Sequence, residues 1–331
     1  MDPLELLRQN LLSPVVLAFV LGVVAVLVRS DLRLPADLYT VLAVYLLFAI
    51  GLKGGAALSV TPFSSLWAPA LATLVLGVVI PLFAYAILRR LGRFSVVDAA
   101  AIAAHYGSVS AVTFTAAMSA LQSVGVEGFM PALVAILEVP AILIALGLAR
   151  SSLSSSGSAS GGGSMAEIWR ELLVGRSLFV LIGGVMIGLL SGQRGLAEVS
   201  AFFVEPFKGA LVLFMLEMGM VAAARLRDLR KAGFFLVVFG IVMPLVQGAL
   251  GVALGTLAGL SVGGASVLGV MAASASYIAA PAAVRIALPQ ANPAFYLGSA
   301  LGVTFPFNLS VSIPYCFALA NWMAANWMGA K

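Results

Sequence analysis

Residues 99–121 read AAAIAAHYGSVSAVTFTAAMSAL, and residues 271–288 read MAASASYIAAPAAVRIAL. Each is an apolar run broken near its middle by a serine pair, Ser108 and Ser110 in the first, Ser274 and Ser276 in the second. Subtracting 108 from 274, or 110 from 276, gives the same interval of 166 residues, and that shift also carries Pro140 onto Pro306. The chain has 331 residues, so the interval is half its length. Broken helices at matching places in two halves predict an internal duplication. They also point to a binding site at mid-membrane, because half-helix ends supply backbone groups that bind ions.

Composition sets the solvent. Apolar residues make up 62% of the chain and charged residues 9%, against roughly 45–50% and about 25% in soluble domains. The fold class this predicts is all-α, a polytopic membrane protein. Ten spans are expected, at about 14–28, 38–52, 66–88, 98–122, 129–149, 177–191, 207–223, 232–258, 264–287 and 295–323. The run from Pro14 to Val28 lacks a basic leader and a small-residue cleavage site, so it reads as a first span and not as a signal peptide. Cys316 is the single cysteine, which excludes an intrachain disulfide. The net charge of +5 invites a nucleic-acid reading, but no basic and aromatic run of the kind such a groove needs is present.

The division expected is a first five-helix repeat over 1–150, a flexible cytoplasmic linker and lead-in over 151–176, and a second repeat over 177–331. The linker reading rests on SSLSSSGSASGGGS at 151–164, which has almost no apolar content. With the N-terminus outside, inward loops hold 12 of the 18 lysines and arginines, among them Arg89, Arg90, Arg150, Arg227, Arg230 and Lys231. Both termini then face away from the cytoplasm, and an odd number of spans per half inverts the second repeat relative to the first.

The chemistry gathers at the breaks and one helix beyond each. Gly107, Ser108, Val109 and Ser110, with Ser274, Ala275 and Ser276, place flexible backbone and small hydroxyls where two half-helix N-termini could face one point, an arrangement that attracts an anion. The alternative is ordinary small-residue helix packing. In ILEVPAI at 136–142, Glu138 lies two residues before Pro140. In VTFPFNLSVSIP at 303–314, Thr304 precedes Pro306 by two and Asn308 follows it by two. Proline frees the carbonyl four residues upstream, so carbonyls near 136 and 302 join a carboxylate, a hydroxyl and an amide. That set suits a hard cation such as sodium, and a carboxylate deep in an apolar span is functional by default. Lys53 reads as a residue snorkelling from a helix end, and His105 as a hydrogen-bonded core histidine. No phosphate-cradling loop, nucleophile elbow or paired catalytic carboxylates occur, so an enzyme is not expected.

YGSVSAVT at 106–113, ILEVPAI at 136–142 and SASYIAAPAAVRIALPQANPAFYLGSALGVTFPFN at 274–308 resemble the cyanobacterial sodium-dependent bicarbonate transporter family. The resemblance spans both halves. It implies a sodium and bicarbonate symporter for inorganic carbon uptake across the inner membrane, working as a homotrimer with a cytoplasmic PII-like regulatory partner. It places the anion on Gly107, Ser108, Val109, Ser110, Ser274, Ala275 and Ser276. Sodium, the co-transported ion, falls on Glu138 and Asn308 with the hydroxyls of Thr304, Ser110 and Ser276. The residues also admit a sodium- or proton-coupled carrier of another small monocarboxylate, an anion channel or a membrane sensor.

Overall fold

The computed structural model describes residues 3–155, 166, 170 and 173–328, and all regular structure among them is helical. The helices are α1 (Pro3–Leu11), α2 (Pro14–Leu27), α3 (Ala36–Leu58), α4 (Phe63–Arg90), α5 (Val96–Gly107), α6 (Ala111–Ala120) and α7 (Met130–Ser155). They continue with α8 (Arg176–Glu198), α9 (Ser200–Phe203), α10 (Phe207–Leu257), α11 (Val262–Ala273) and α12 (Ala279–Ala287). The last is a continuous helical stretch, α13 (Pro293–Asn326). Gly233, with φ of 80°, breaks α10 into two arms.

Among the described residues, seven stretches are long and apolar enough to cross a membrane: Asp37–Leu58, Phe63–Arg90, Met130–Ala149, Leu178–Glu198, Ser200–Arg225, Gly233–Leu257 and Pro293–Asn326. The other three expected spans take a different form. The first is α2, whose 14 residues rise about 21 Å at 1.5 Å each. Ser13 fixes its start by accepting a hydrogen bond from the Val16 N–H, with Pro14 in the first turn, where a missing N–H leaves nothing unpaired. The fourth and ninth are each split in two, because the serine at the break takes extended backbone: φ and ψ are −94° and 163° at Ser108, and −85° and 164° at Ser274.

The two broken helices match closely. α5 (Val96–Gly107) and α11 (Val262–Ala273) have 12 residues each and both bounds lie 166 apart. Ser95 and Ser261 N-cap them, accepting hydrogen bonds from the N–H groups of Asp98 and Gly264.

The helices pack in three groups. α4, α5 and α7 contact one another, as do the second arm of α10, α11 and α13. α2 packs on α10 and α3 on α8. The α3–α8 pair meets through Gly51 and Gly55 against Gly184 and Gly188. A Cβ on Gly55 would lie 2.0 Å from the Val185 carbonyl oxygen, and one on Gly188 would lie 2.1 Å from that of Leu52. Small-xxx-small spacing of this kind lets membrane helices associate by backbone proximity, since lipid supplies no hydrophobic drive between helices.

Most of the stretch read as a linker over 151–176 lies outside the described residues, although α7 continues to Ser155 and α8 starts at Arg176. The side chains of Arg150, Arg227, Arg230 and Lys231, which weigh in the orientation argument, lie outside them too.

Candidate functional site

The two breaks cross at the centre of the bundle and hold each other by hydrogen bonds. The Ser110 N–H donates to Ser274 Oγ at 2.8 Å, and the Ser276 N–H donates to the His105 carbonyl at 2.8 Å. His105 lies in the last turn of α5, where a carbonyl has lost its helical donor, so the crossing chain satisfies what the break exposed. Gly107, Ser108, Val109, Ser110, Ser274, Ala275 and Ser276 are all buried here. No side chain would fit at 107, because a Cβ there would lie 2.8 Å from Pro81 and 3.1 Å from Ala141.

Ser110 and Ser276 also organise the half-helices that follow them. Ser110 Oγ accepts from the Thr113 N–H at 3.1 Å and from the Thr113 hydroxyl at 3.0 Å. Ser276 Oγ accepts from the Ala280 N–H at 3.3 Å. Ser274 Oγ donates to the Met271 carbonyl at 2.8 Å, closing the end of α11. The first N–H groups of α6 and α12 have no helical acceptors, and both helices start at the crossing, so positive dipole ends converge on it.

The five residues expected around sodium are all buried, and the structure distributes them around the crossing without joining them into one bonded cluster. Thr304 Oγ1 donates to the Gly240 carbonyl at 2.9 Å and lies 2.7 Å from the hydroxyl of Tyr106, the residue before Gly107. Asn308 donates from Nδ2 to the Ala273 carbonyl at 3.0 Å and accepts from the Ser312 hydroxyl at 2.7 Å. Ser110 N-caps α6, and Ser276 accepts from the Ala280 N–H in the first turn of α12. Glu138 is one helical turn from Ala141, which packs against Gly107, so it shares the face turned toward the first break. Its carboxylate makes no ion pair among the described residues. The α13 segment carrying Thr304 and Asn308 is wound as π-helix on both sides of Pro306, at Gly298–Thr304 and Asn308–Ser312. π-Turns are frequent at functional sites and shift backbone carbonyls out of the α-helical ladder.

Three buried groups at or near the crossing were not singled out from the sequence as site residues. Tyr106 ties α5 to α13 through Thr304. Tyr277 lies beside Ser110. Gln247 is buried with both amide atoms lacking a protein partner, on the arm of α10 where the next residue, Gly248, faces Ala273. Ser108 Oγ and His105 Nε2 are buried and unpartnered as well, while His105 Nδ1–H donates to the Ala101 carbonyl at 2.6 Å. Orphaned polar atoms of this kind are what a bound ion or water satisfies. Gln247 was legible as a lone amide in the apolar run VMPLVQGAL.

Two carboxylates tie the outer ends of the broken helices across the halves. Glu127 accepts from the Ser261 N–H at 2.6 Å and from its hydroxyl at 3.1 Å, at the start of α11. Asp98 accepts from the Asn292 N–H at 2.9 Å and from the Ser95 hydroxyl at 2.7 Å, at the start of α5. The S-x-x-D spacing of Ser95 and Asp98 is a capping signature readable in the sequence.

On one side of the crossing lies a constriction of about 10 Å³, lined in part by Leu46 and Ile50 of α3, Val112 and Thr115 of α6, Phe214 of α10 and Ile278. That is about the space one water needs. Apolar side chains of α3, α6 and α10 close around it.

Helices of membrane length around two crossed helix breaks define a class, the multi-pass membrane transporter. Residues 14–321 match the Na+-dependent bicarbonate transporter superfamily, and the chain belongs to it. No curated protein sequence matches the chain.

Proposed function

We propose that this protein is a sodium and bicarbonate symporter that brings inorganic carbon into a bacterial cell. The observation that carries the reading is the reciprocal crossing, Ser110 N–H to Ser274 Oγ and Ser276 N–H to the His105 carbonyl, in a chain of a sodium-dependent bicarbonate transporter family. The first-turn amides of α6 and α12 and the Ser108 hydroxyl bind the anion. The site has no arginine clamp, so it selects a small monovalent anion over phosphate or sulfate.

Sodium binds beside it. Glu138, Asn308 and Thr304 provide carboxylate, amide and hydroxyl oxygens, helped by Ser110, Ser276 and the carbonyls that Pro140 and Pro306 release. Sodium cancels the charge of Glu138 and adds positive field next to the anion, so each ion raises the affinity for the other, as linkage requires. Neutralising this buried carboxylate is what the cation contributes to anion binding.

The same reading takes the halves as inverted five-span repeats, with α5–α6 and α11–α12 each counting as one span. Matching bounds 166 residues apart support this, as does length: 12 and 10 residues in α5 and α6 rise together about 33 Å, one bilayer core, with the break at mid-depth. It places the first repeat at 1–150 and the second at 177–331, both termini outside, in the inner membrane. Resemblance to the cyanobacterial family supports a homotrimer and a PII-like cytoplasmic partner. The test is uptake of labelled bicarbonate into proteoliposomes with and without an inward sodium gradient. Concentrative uptake only with the gradient is expected. Equal uptake without sodium overturns the proposal in favour of an anion channel.

A further inference from the structure

Three cavities, of about 630, 370 and 200 Å³, gather at the end of the bundle where α3 and α6 finish and α10 begins. The first two share Ser119 and Lys208, and the last two share Lys53, Thr115 and Phe207, so they are compartments of one recess. Thr115 also lines the small void beside the crossed breaks, so the recess ends close to them.

Its charged lining residues are Lys53, Lys208 and Glu205, a net charge of +1. Lys53 Nζ sits 5.1 Å from the centroid of the Phe207 ring, a cation–π contact at the cavity wall. Lys53 and Lys208 line the same cavity, so their positive charges add there. The two ammonium groups outnumber the Glu205 carboxylate, and a net positive charge on low-dielectric walls raises the local concentration of anions.

We propose that Lys53 and Lys208 form an entry site that concentrates small aqueous anions above the crossed breaks and sets the apparent affinity for the transported anion. This rests on the carrier reading. The experiment places a thiol in the recess by Ser119→Cys, with Cys316→Ala, and compares its rates of reaction with an anionic and a cationic thiosulfonate of similar size. Taking the ratio cancels any effect of the lysines on the thiol itself.

Adding Lys53→Gln and Lys208→Gln should lower the anionic-to-cationic ratio at least about fivefold at low salt. The difference should fade near 1 M salt, where the Debye length is about 3 Å. Lys53→Arg with Lys208→Arg should restore the ratio, which a folding defect would not. A ratio unchanged by the glutamines, as when anionic lipid headgroups already neutralise both lysines, overturns the proposal.

A second arm measures bicarbonate uptake, where the glutamine pair should raise KM severalfold and leave kcat in place. An unchanged KM also overturns the entry site. If the lysine-bearing protein takes up no bicarbonate with sodium present, the carrier reading fails, while the reagent ratio still decides whether the recess gathers anions.

Discussion

Glu138 is 7% exposed, and no described residue balances its charge. Holding a bare carboxylate there costs several kcal/mol, so the position favours either a proton or a cation on it. Glu138→Gln keeps the size and the hydrogen-bonding capacity and removes the charge. Sodium-driven uptake should fall to the liposome background, while the thermal melt in detergent stays within a few degrees of the parent. Wild-type sodium dependence in that variant would remove Glu138 from the cation site. Ser274 makes the complementary case, since its hydroxyl is the acceptor for the Ser110 N–H at 2.8 Å. Ser274→Ala should destabilise the fold by about 1–3 kcal/mol, the usual range for a buried donor left alone. Melting curves with and without bicarbonate separate this loss from any loss of binding. The bulkier changes Ser110→Leu and Ser276→Leu should fill the crossing and abolish bicarbonate protection of the melt.

Among the elements, α3 and α8 are set by glycine as much as by apolar surface. At Gly55 a Cβ would approach the Val185 carbonyl oxygen to 2.0 Å, and that neighbour is backbone, which does not swing aside. Gly55→Ala must therefore push the helices apart, with an expected loss of about 1–3 kcal/mol. Gly147, in α7, is the control, because a Cβ there meets nothing within 4 Å. Gly147→Ala should be neutral or slightly stabilising through helix propensity. If both variants melt alike, the close approach of α3 and α8 does not hold the pair. α11 meets a similar demand at its start, where a Cβ on Gly264 would fall 1.9 Å from the Glu127 carboxylate. A bare helix start allows the carboxylate to cap it.

For the molecule as a whole, the crossing and the recess define a state. The void beside the breaks, lined by α3, α6 and the first arm of α10, is about 10 Å³, the space of one water, so a bicarbonate ion could pass there only if those elements part. Thiols introduced singly by Ser108→Cys and Ser274→Cys, in a background with Cys316→Ala, should react with a small impermeant reagent from one face in one state and be protected in the other. Sodium with bicarbonate should shift the balance, because a ligand moves an equilibrium only through unequal binding to its states. Access from both faces at once would favour a channel. Complete protection under all conditions would make the serine breaks packing features.

The chain by itself determined the membrane environment, the places where two helices break and the chemistry at each break. These are local properties: apolar runs, serines and glycine that release the helix, and prolines that withhold a donor. The 166-residue interval was legible because both breaks use the same residue type, and the ends of α5 and α11 keep that interval. Which groups meet was decided only by tertiary structure. Tyr106 and Thr304 stand 198 residues apart in sequence and 2.7 Å apart in space. No local pattern pairs them, because helices apolar on nearly every face carry no stripe that says which neighbour each will meet. Lys53 shows the same division. From sequence it is a lysine near a helix end, free to snorkel, and it becomes a wall of the recess only because packing brings the Phe207 ring within 5.1 Å of its ammonium.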